Sequence, residues 1–158
     1  MNWRGSTAVT DRIWSSLPYL LPLVEGLLFG QFLFEEFPAL TVLLIPLTPL
    51  LALYKVIPFF SAIVFFGLFL LVVRNTNINN FIRFNTMQAI LLDIVLFLCR
   101  IILEILAPAL RGGLILETLM NVVFLGMLAA VVYSVVQTLR GQYAEIPTIS
   151  EAVHMQVR

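Results

Sequence analysis

Four stretches of this chain are apolar for long enough to fill the hydrocarbon core of a bilayer, and nothing else in the sequence limits the fold as strongly. They cover about residues 17–34, 58–73, 84–107 and 114–139. A helix rising about 1.5 Å per residue needs about 20 apolar residues to cross. The second stretch is short and is closed by Arg74, whose long stem can carry its charge to an interface. The third stops at Pro108, and the fourth ends at Arg140 and Gly141. Composition points the same way. The chain is 61% hydrophobic and 11% charged, against about 25% charged in an ordinary soluble domain. The expected fold is therefore an all-α membrane protein built as a bundle of four transmembrane helices.

A fifth apolar segment, residues 39–54 (ALTVLLIPLTPLLALY), complicates the count. Pro46 and Pro49 remove two backbone donors in quick succession. The segment is either a further span or a re-entrant or interfacial piece. Basic residues favour the second choice, because cytoplasmic loops are enriched in Lys and Arg. With four spans, Arg4, Arg12, Arg74, Arg83, Arg140 and Arg158 share one side, while Lys55 and Arg111 take the other. With five spans the split is even. The reading is four spans with both termini inside, and a bent or hairpin-like segment at 39–54.

Three regions follow: a short polar N-terminal segment (1–16), a transmembrane domain (17–141) and a polar tail (142–158) expected to be flexible. The N-terminal segment is too short and too poor in arginine for an organelle transit peptide. A bacterial, organelle-encoded or already processed protein is expected. The asparagine-rich 75–80 (NTNINN) reads as a polar turn between the second and third spans.

Ionisable groups within a span cost about 2.5–3.5 kcal/mol each on insertion scales, so each needs a reason. Glu25, Asp93, Arg100, Glu104 and Glu117 are such groups, and Asn121 lies one turn from Glu117. At about 100° per residue, Asp93 and Arg100 fall about 20° apart, and Arg100 and Glu104 about 40° apart. The third span thus carries one polar stripe, and Glu117 with Asn121 forms a smaller one on the fourth. Such stripes serve either as a clamp between antiparallel helices or as a wet path or contact surface for a polar substrate. Gly26 and Gly30 make a small-xxx-small pair suited to close helix approach, within the bundle or in self-association.

Catalysis is not expected. There is no histidine pair for a metal, no histidine beside a serine or cysteine nucleophile, and no glycine-rich phosphate loop. Asp93 is the one intramembrane aspartate. The single Cys99 rules out an intramolecular disulfide. The single His154 sits in the tail, so no imidazole is available at membrane depth to hold a haem or chlorophyll. No cofactor is expected, although water or a carbonyl remains an open route to a pigment. Nine basic and nine acidic residues cancel, which gives no reason to expect a nucleic acid.

The run VRNTNINNFIRFNTMQAILLDI (73–94) resembles the signature of the Tic twenty (Tic20) family, the multi-spanning subunit of the chloroplast inner-envelope translocon and its cyanobacterial relatives. LPYLLPLVEGLLFGQFLFEEFP (17–38) resembles that family's first span, and LALYKVIPF (51–59) its connecting segment. The most specific part is Arg83, Phe84, Asn85, Met87 and Gln88, with Ala89 beside them and Asp93 four residues on. The resemblance implies four spans with both termini on the stromal or cytoplasmic side. It also implies a non-enzymatic part in protein translocation, as pore component or scaffold. The partners implied are the lipid bilayer, other membrane subunits or further copies of the chain, and a translocating polypeptide. The membrane implied is a cyanobacterial plasma or thylakoid membrane, or a plastid inner envelope. An assembly or stability factor for a membrane complex is the alternative. Within the motif, Asn85 is expected to cap the third span, Gln88 to face protein, and Arg83 to meet lipid phosphate.

Overall fold

A computed structural model describes residues 7–157, so Arg4 and Arg158 of the charge count lie outside the described residues. Within them the chain forms six helices and no strand. We label these α1 (Val9–Glu36), α2 (Pro38–Val56), α3 (Phe60–Val73), α4 (Asn80–Leu110), α5 (Leu114–Leu139) and α6 (Ile149–Gln156).

The surface is inverted relative to a soluble protein. Val42, Ile45, Leu71, Ile105 and Leu114 are all more than 60% exposed, whereas Asn85, Thr86, Gln88, Ser134 and Thr138 are fully buried. Water would expel the first set and solvate the second; hydrocarbon reverses both preferences. By length and composition, α1, α2 and α5 are each sufficient to cross a membrane. The α4 helix is longer still, at 31 residues, but carries Arg83, Asp93, Arg100 and Glu104. Together these features define a multi-pass helical membrane bundle.

The helix limits differ from the apolar stretches in informative ways. The first helix starts at Val9, not near 17, because Ser15 is buried against the bundle and extends the packed face into the polar segment. It is interrupted by 3-10 turns at Leu17–Tyr19 and Leu27–Gly30. The fourth helix begins at Asn80, one turn before the apolar run. Its N-cap is Asn79, whose side chain accepts from the Phe81 N–H at 2.9 Å. Asn85 is thus not the cap that the motif suggested. Pro108 lies inside the last turn of α4, which runs on to Leu110 and stops where Arg111 adopts a left-handed conformation. A proline this close to a helix end removes one donor without breaking the helix above it.

The segment after α1 is helical throughout. Residues Pro38–Leu47 form a 3-10 helix and Thr48–Val56 an α-helix, so the change of pitch falls between Pro46 and Pro49. A 3-10 run of this length is unusual. The prolines withhold donors that would hold an α pitch, and the Thr41 hydroxyl donates instead to the Pro38 carbonyl at 2.6 Å. No residue of α2 is buried. Phe59, left-handed and 84% exposed, then turns the chain into α3. That helix is only 14 residues long and ends in a π-helical turn, Phe69–Val73.

Both ends of the described chain meet at one end of the bundle, which we call basal. The Thr7 hydroxyl donates to the Gly141 carbonyl at 3.1 Å, and Asn79 reaches Asp11 at 3.0 Å. The tail is not loose. After a turn it forms α6, which packs on α4 and buries Ser150 and Val153. The sequence suggested flexibility because a polar tail has no apolar stripe to advertise docking; two buried side chains suffice.

Gly26 and Gly30 are used inside the chain. A Cβ on Gly26 would come within 2.4 Å of the Met127 side chain, and one on Gly30 within 2.8 Å of the Phe124 ring. The small-xxx-small face is therefore spent on α1–α5 contact rather than on a second copy. Gly30→Ala should destabilise more than Gly26→Ala, because two phenylalanine rings confine the first site and a flexible methionine the second. Overpacking of this kind costs about 1–3 kcal/mol. Gly126→Ala, with open space around it, should be neutral or better. Thermal unfolding in detergent checks the order.

Candidate functional site

The basal half of α4 is the most enclosed part of the molecule. Here the motif residues form a polar knot that joins four helices. Asn85 and Gln88 lie one turn apart on α4, and both are fully buried. The Asn85 Oδ1 accepts from the Tyr19 hydroxyl and from the Thr138 hydroxyl, each at 2.8 Å, while its Nδ2 donates to the Phe81 carbonyl at 2.9 Å. The Gln88 Nε2 lies 2.9 Å from the Ala144 carbonyl, 3.1 Å from the Tyr19 oxygen and 3.3 Å from Ser134 Oγ. Its Oε1 accepts from the Ser150 hydroxyl at 2.8 Å, and that oxygen in turn accepts the Ile146 N–H at 2.7 Å. An amide offers donors and acceptors together, so it can act as a junction where a hydroxyl or carboxylate would leave a partner unmatched.

Aromatic rings close the knot from outside. Tyr143 meets Phe81 and Phe84 edge-on, with centroids 5.1 and 4.9 Å apart. Burial pushes the Tyr143 phenol up, so it remains a neutral ring at ordinary pH. His154 tilts against Phe84 at 5.0 Å and reaches the exposed Glu145 at 3.1 Å. Met87, buried nearby, belongs to the apolar cluster of Val73, Phe84, Ile90 and Val153.

Arg83 is 5% exposed rather than free at a lipid surface. Its Nε donates to the Val73 carbonyl at 2.8 Å and its Nη1 to Asn80 Oδ1 at 2.9 Å. The π turn that ends α3 leaves the Val73 carbonyl for this guanidinium. Arg83 thus ties the end of α3 to the start of α4.

The ionisable residues of the spans divide into two groups. Glu25, Asp93 and Arg100 line one cavity of about 520 Å³, walled by α1, α3 and α4. Asp93 is buried, and its Oδ1 has no hydrogen-bond partner among the described residues. Arg100 and Glu104 do pair, at 2.7 Å, but their side chains are 51% and 62% exposed. The pair is made within α4, four residues apart, so it does not itself clamp one helix to another. Glu117 stands half-buried in the first turn of α5, and Asn121 has a buried Oδ1 without a partner among the described residues. A second cavity of about 510 Å³, almost wholly apolar, lies between α1, α2, α3 and α4. No group of three or more metal-ligating side chains occurs among the described residues.

Sequence reasoning found Asn85 and Gln88 but missed Tyr19, Ser134, Thr138 and Ser150. Ser134 and Thr138 are spaced four apart on α5, a signal that hydroxyls in spans often share with mere self-capping. Ser150 carried no signal at all.

A helical bundle whose surface is largely apolar and whose junction of amides and hydroxyls is buried is a multi-pass membrane protein. Residues 9–153 match the family model described as chloroplast import apparatus, Tic20-like. A Tic20 family protein of Synechocystis is 49% identical over 94% of this chain and 93% of its own length. The Arabidopsis thaliana protein TIC 20-II, chloroplastic, is 38% identical over 96% of this chain and 74% of its own length. The Tic20 family protein Ycf60 of Porphyra purpurea is 36% identical over 97% of this chain and 78% of its own. The chain belongs to the Tic20 family.

If the knot holds α6 to α4, Gln88→Leu should remove its bonds to Ser150, the Ala144 carbonyl and Ser134, leaving Ser150 and the Ala144 carbonyl bonded only within the tail. A buried polar group left unpaired costs about 1–3 kcal/mol. Proteolysis within 142–157 should accelerate several-fold in that variant, while cleavage in the 111–113 turn stays unchanged. Equal protection of the tail would mean that apolar contacts of Val153 hold α6 alone.

Proposed function

We propose that the chain is a membrane-embedded subunit of a protein translocation machinery, acting as a scaffold that lines part of a path shared with other subunits. The observation that carries this reading is the match of residues 9–153 to a family described as chloroplast import apparatus. Two structural features support it. The α2 helix has no buried residue; it touches the bundle through Leu50 and Tyr54 beside the apolar cavity and leaves the rest of its surface open to partner helices. The ionisable residues Glu25, Asp93 and Arg100 gather around one cavity, which favours the contact-surface reading of these groups over the clamp.

Four net crossings, with both termini on the cytoplasmic or stromal side, fit this arrangement. The hydrogen bond between Thr7 and Gly141 supports an even number of crossings. So does the contact of Arg83 with Val73, which brings the end of α3 to the start of α4. In this reading α1, α4 and α5 cross singly, and α2 with α3 makes one crossing together. The basal end then holds Arg12, Arg74, Arg83 and Arg140, while Lys55 and Arg111 lie away from it, as the enrichment of cytoplasmic loops in basic residues requires. The membrane is a cyanobacterial plasma or thylakoid membrane, or a plastid inner envelope.

Two measurements test this. In a Cys99→Ser background, cysteines at Thr10 and Gln142 should react with an impermeant thiol reagent from one side of sealed vesicles, and a cysteine at Gly112 from the other. Reaction of Thr10 and Gln142 positions from opposite sides would contradict the topology. Crosslinking from photoreactive residues in α2 to a stalled, partly translocated polypeptide should capture that polypeptide. Capture of photosynthetic subunits without it would favour the assembly-factor role instead.

A further inference from the structure

The cavity of about 520 Å³ between α1, α3 and α4 has a definite chemistry. Glu25 and Asp93 both line it, contributed by different helices. The positive group among its lining residues is Arg100, and that guanidinium already holds Glu104 at 2.7 Å. Two carboxyls thus face the cavity beside one guanidinium that is already engaged. Asp93 is only 8% exposed, and its Oδ1 is enclosed without a hydrogen-bond partner among the described residues. A buried side-chain oxygen without a protein donor is uncommon in native structures and asks for an explanation.

The remaining wall is aromatic. Phe29, Phe65, Phe66 and Phe97 present rings to the space, and ring faces attract cations, most strongly where water is excluded. The exposure of the rim shows where the cavity opens. Phe59 is 84% exposed, Phe97 60% and Phe66 58%, so the mouth lies on the apolar flank formed by α3 and α4. This flank faces hydrocarbon. A soluble cation does not arrive from hydrocarbon, but a cationic side chain carried on a neighbouring helix does. Two carboxylates and several ring faces at the bottom of a side-opening pocket suit a single ammonium or guanidinium on an apolar stem.

We propose that this cavity receives one lysine or arginine side chain carried at membrane depth by a helix of a partner polypeptide. Glu25 and Asp93 supply the counter-charge, the rings the remainder of the shell. Arg100 lines the same cavity but its Nε is engaged by Glu104, which leaves the carboxyls of Glu25 and Asp93 for the incoming group. The arrangement offsets a cost that would otherwise keep a basic residue out of a span. It rests on the lining of this cavity and not on the translocation reading.

The test uses the full chain in lipid nanodiscs and a fluorescent synthetic Leu/Ala transmembrane peptide with one central arginine. The comparison peptide has leucine at that place. The arginine peptide should bind about tenfold more tightly, the worth of one hydrogen bond between charged groups. Asp93→Asn, nearly the same shape, should remove most of that preference and Glu25→Gln the rest, with binding of the leucine peptide unchanged. Glu104→Gln should weaken the arginine peptide by releasing Arg100 toward the carboxylates. Equal affinity of the two peptides for the wild-type protein would overturn the proposal. So would a preference that survives in the doubly substituted protein. Full competition by millimolar N-acetyl-arginine amide would also overturn it, since the site would then take a dissolved cation and not a helix-borne one.

Discussion

Hydrogen-bonding groups removed from both water and lipid must find each other, and in this chain Asn85 and Gln88 are where they do so. The two amides sit in the basal half of α4 and join α1 through Tyr19, α5 through Ser134 and Thr138, and the tail through Ala144 and Ser150. Apolar packing alone cannot choose one arrangement of greasy helices over another in a solvent of lipid tails, because leucine gains little by leaving lipid for leucine. Directional bonds can. The knot fixes the rotation of α4 and, with it, which residues of α4 face inward higher up. Asp93 follows Gln88 by five residues and Arg100 by twelve, so both fall on one face of α4 and line the same cavity; Asp93 is buried there, while Arg100, about two turns further on, is exposed.

Close helix approach completes what the knot begins. The Gly26 and Gly30 face of α1 admits Met127 and Phe124 of α5, and van der Waals contact at that spacing supplies an attraction that lipid cannot match. Arg83 adds a third tie by crossing from α4 to the end of α3. The three ties leave α2 outside the packed core, with the apolar cavity beside it. The resulting molecule is firmly held at its basal end and open on one flank, which is the form expected of a subunit that finishes its packing against other proteins.

Much of this was legible in the sequence, and the parts that were not share a cause. The helical membrane class and the limits of α5 followed from hydropathy and charge, and a family motif drew attention to Asn85 and Gln88, though not to the place of Asn85 in the helix. The burial of Asn85 and Gln88 could be suspected, but their partners could not, since Tyr19, Thr138 and Ser150 lie 66, 53 and 62 residues away from them in the chain. Helix starts were misjudged by up to eight residues at α1, where polar residues such as Ser15 face the interior and look like loop on a hydropathy scale. The glycine pair was read as a contact face correctly, but the choice between an internal and an external partner depends on which helix arrives, and spacing along one helix does not say. The exposed Arg100–Glu104 pair has the same lesson: a one-turn spacing foretells the contact and not the side of the helix on which it lies.

The central claim is that the amide knot, and not apolar packing alone, sets how α1 and α5 sit on α4. A double-mutant cycle in detergent tests it most directly, using Tyr19→Phe, Asn85→Ala and the two together, with unfolding free energy as the readout. Coupling of about 0.6 kcal/mol or more between the two sites is predicted, the typical worth of a hydrogen bond within a membrane bundle. Additive losses, with no coupling between Tyr19 and Asn85, would contradict the account.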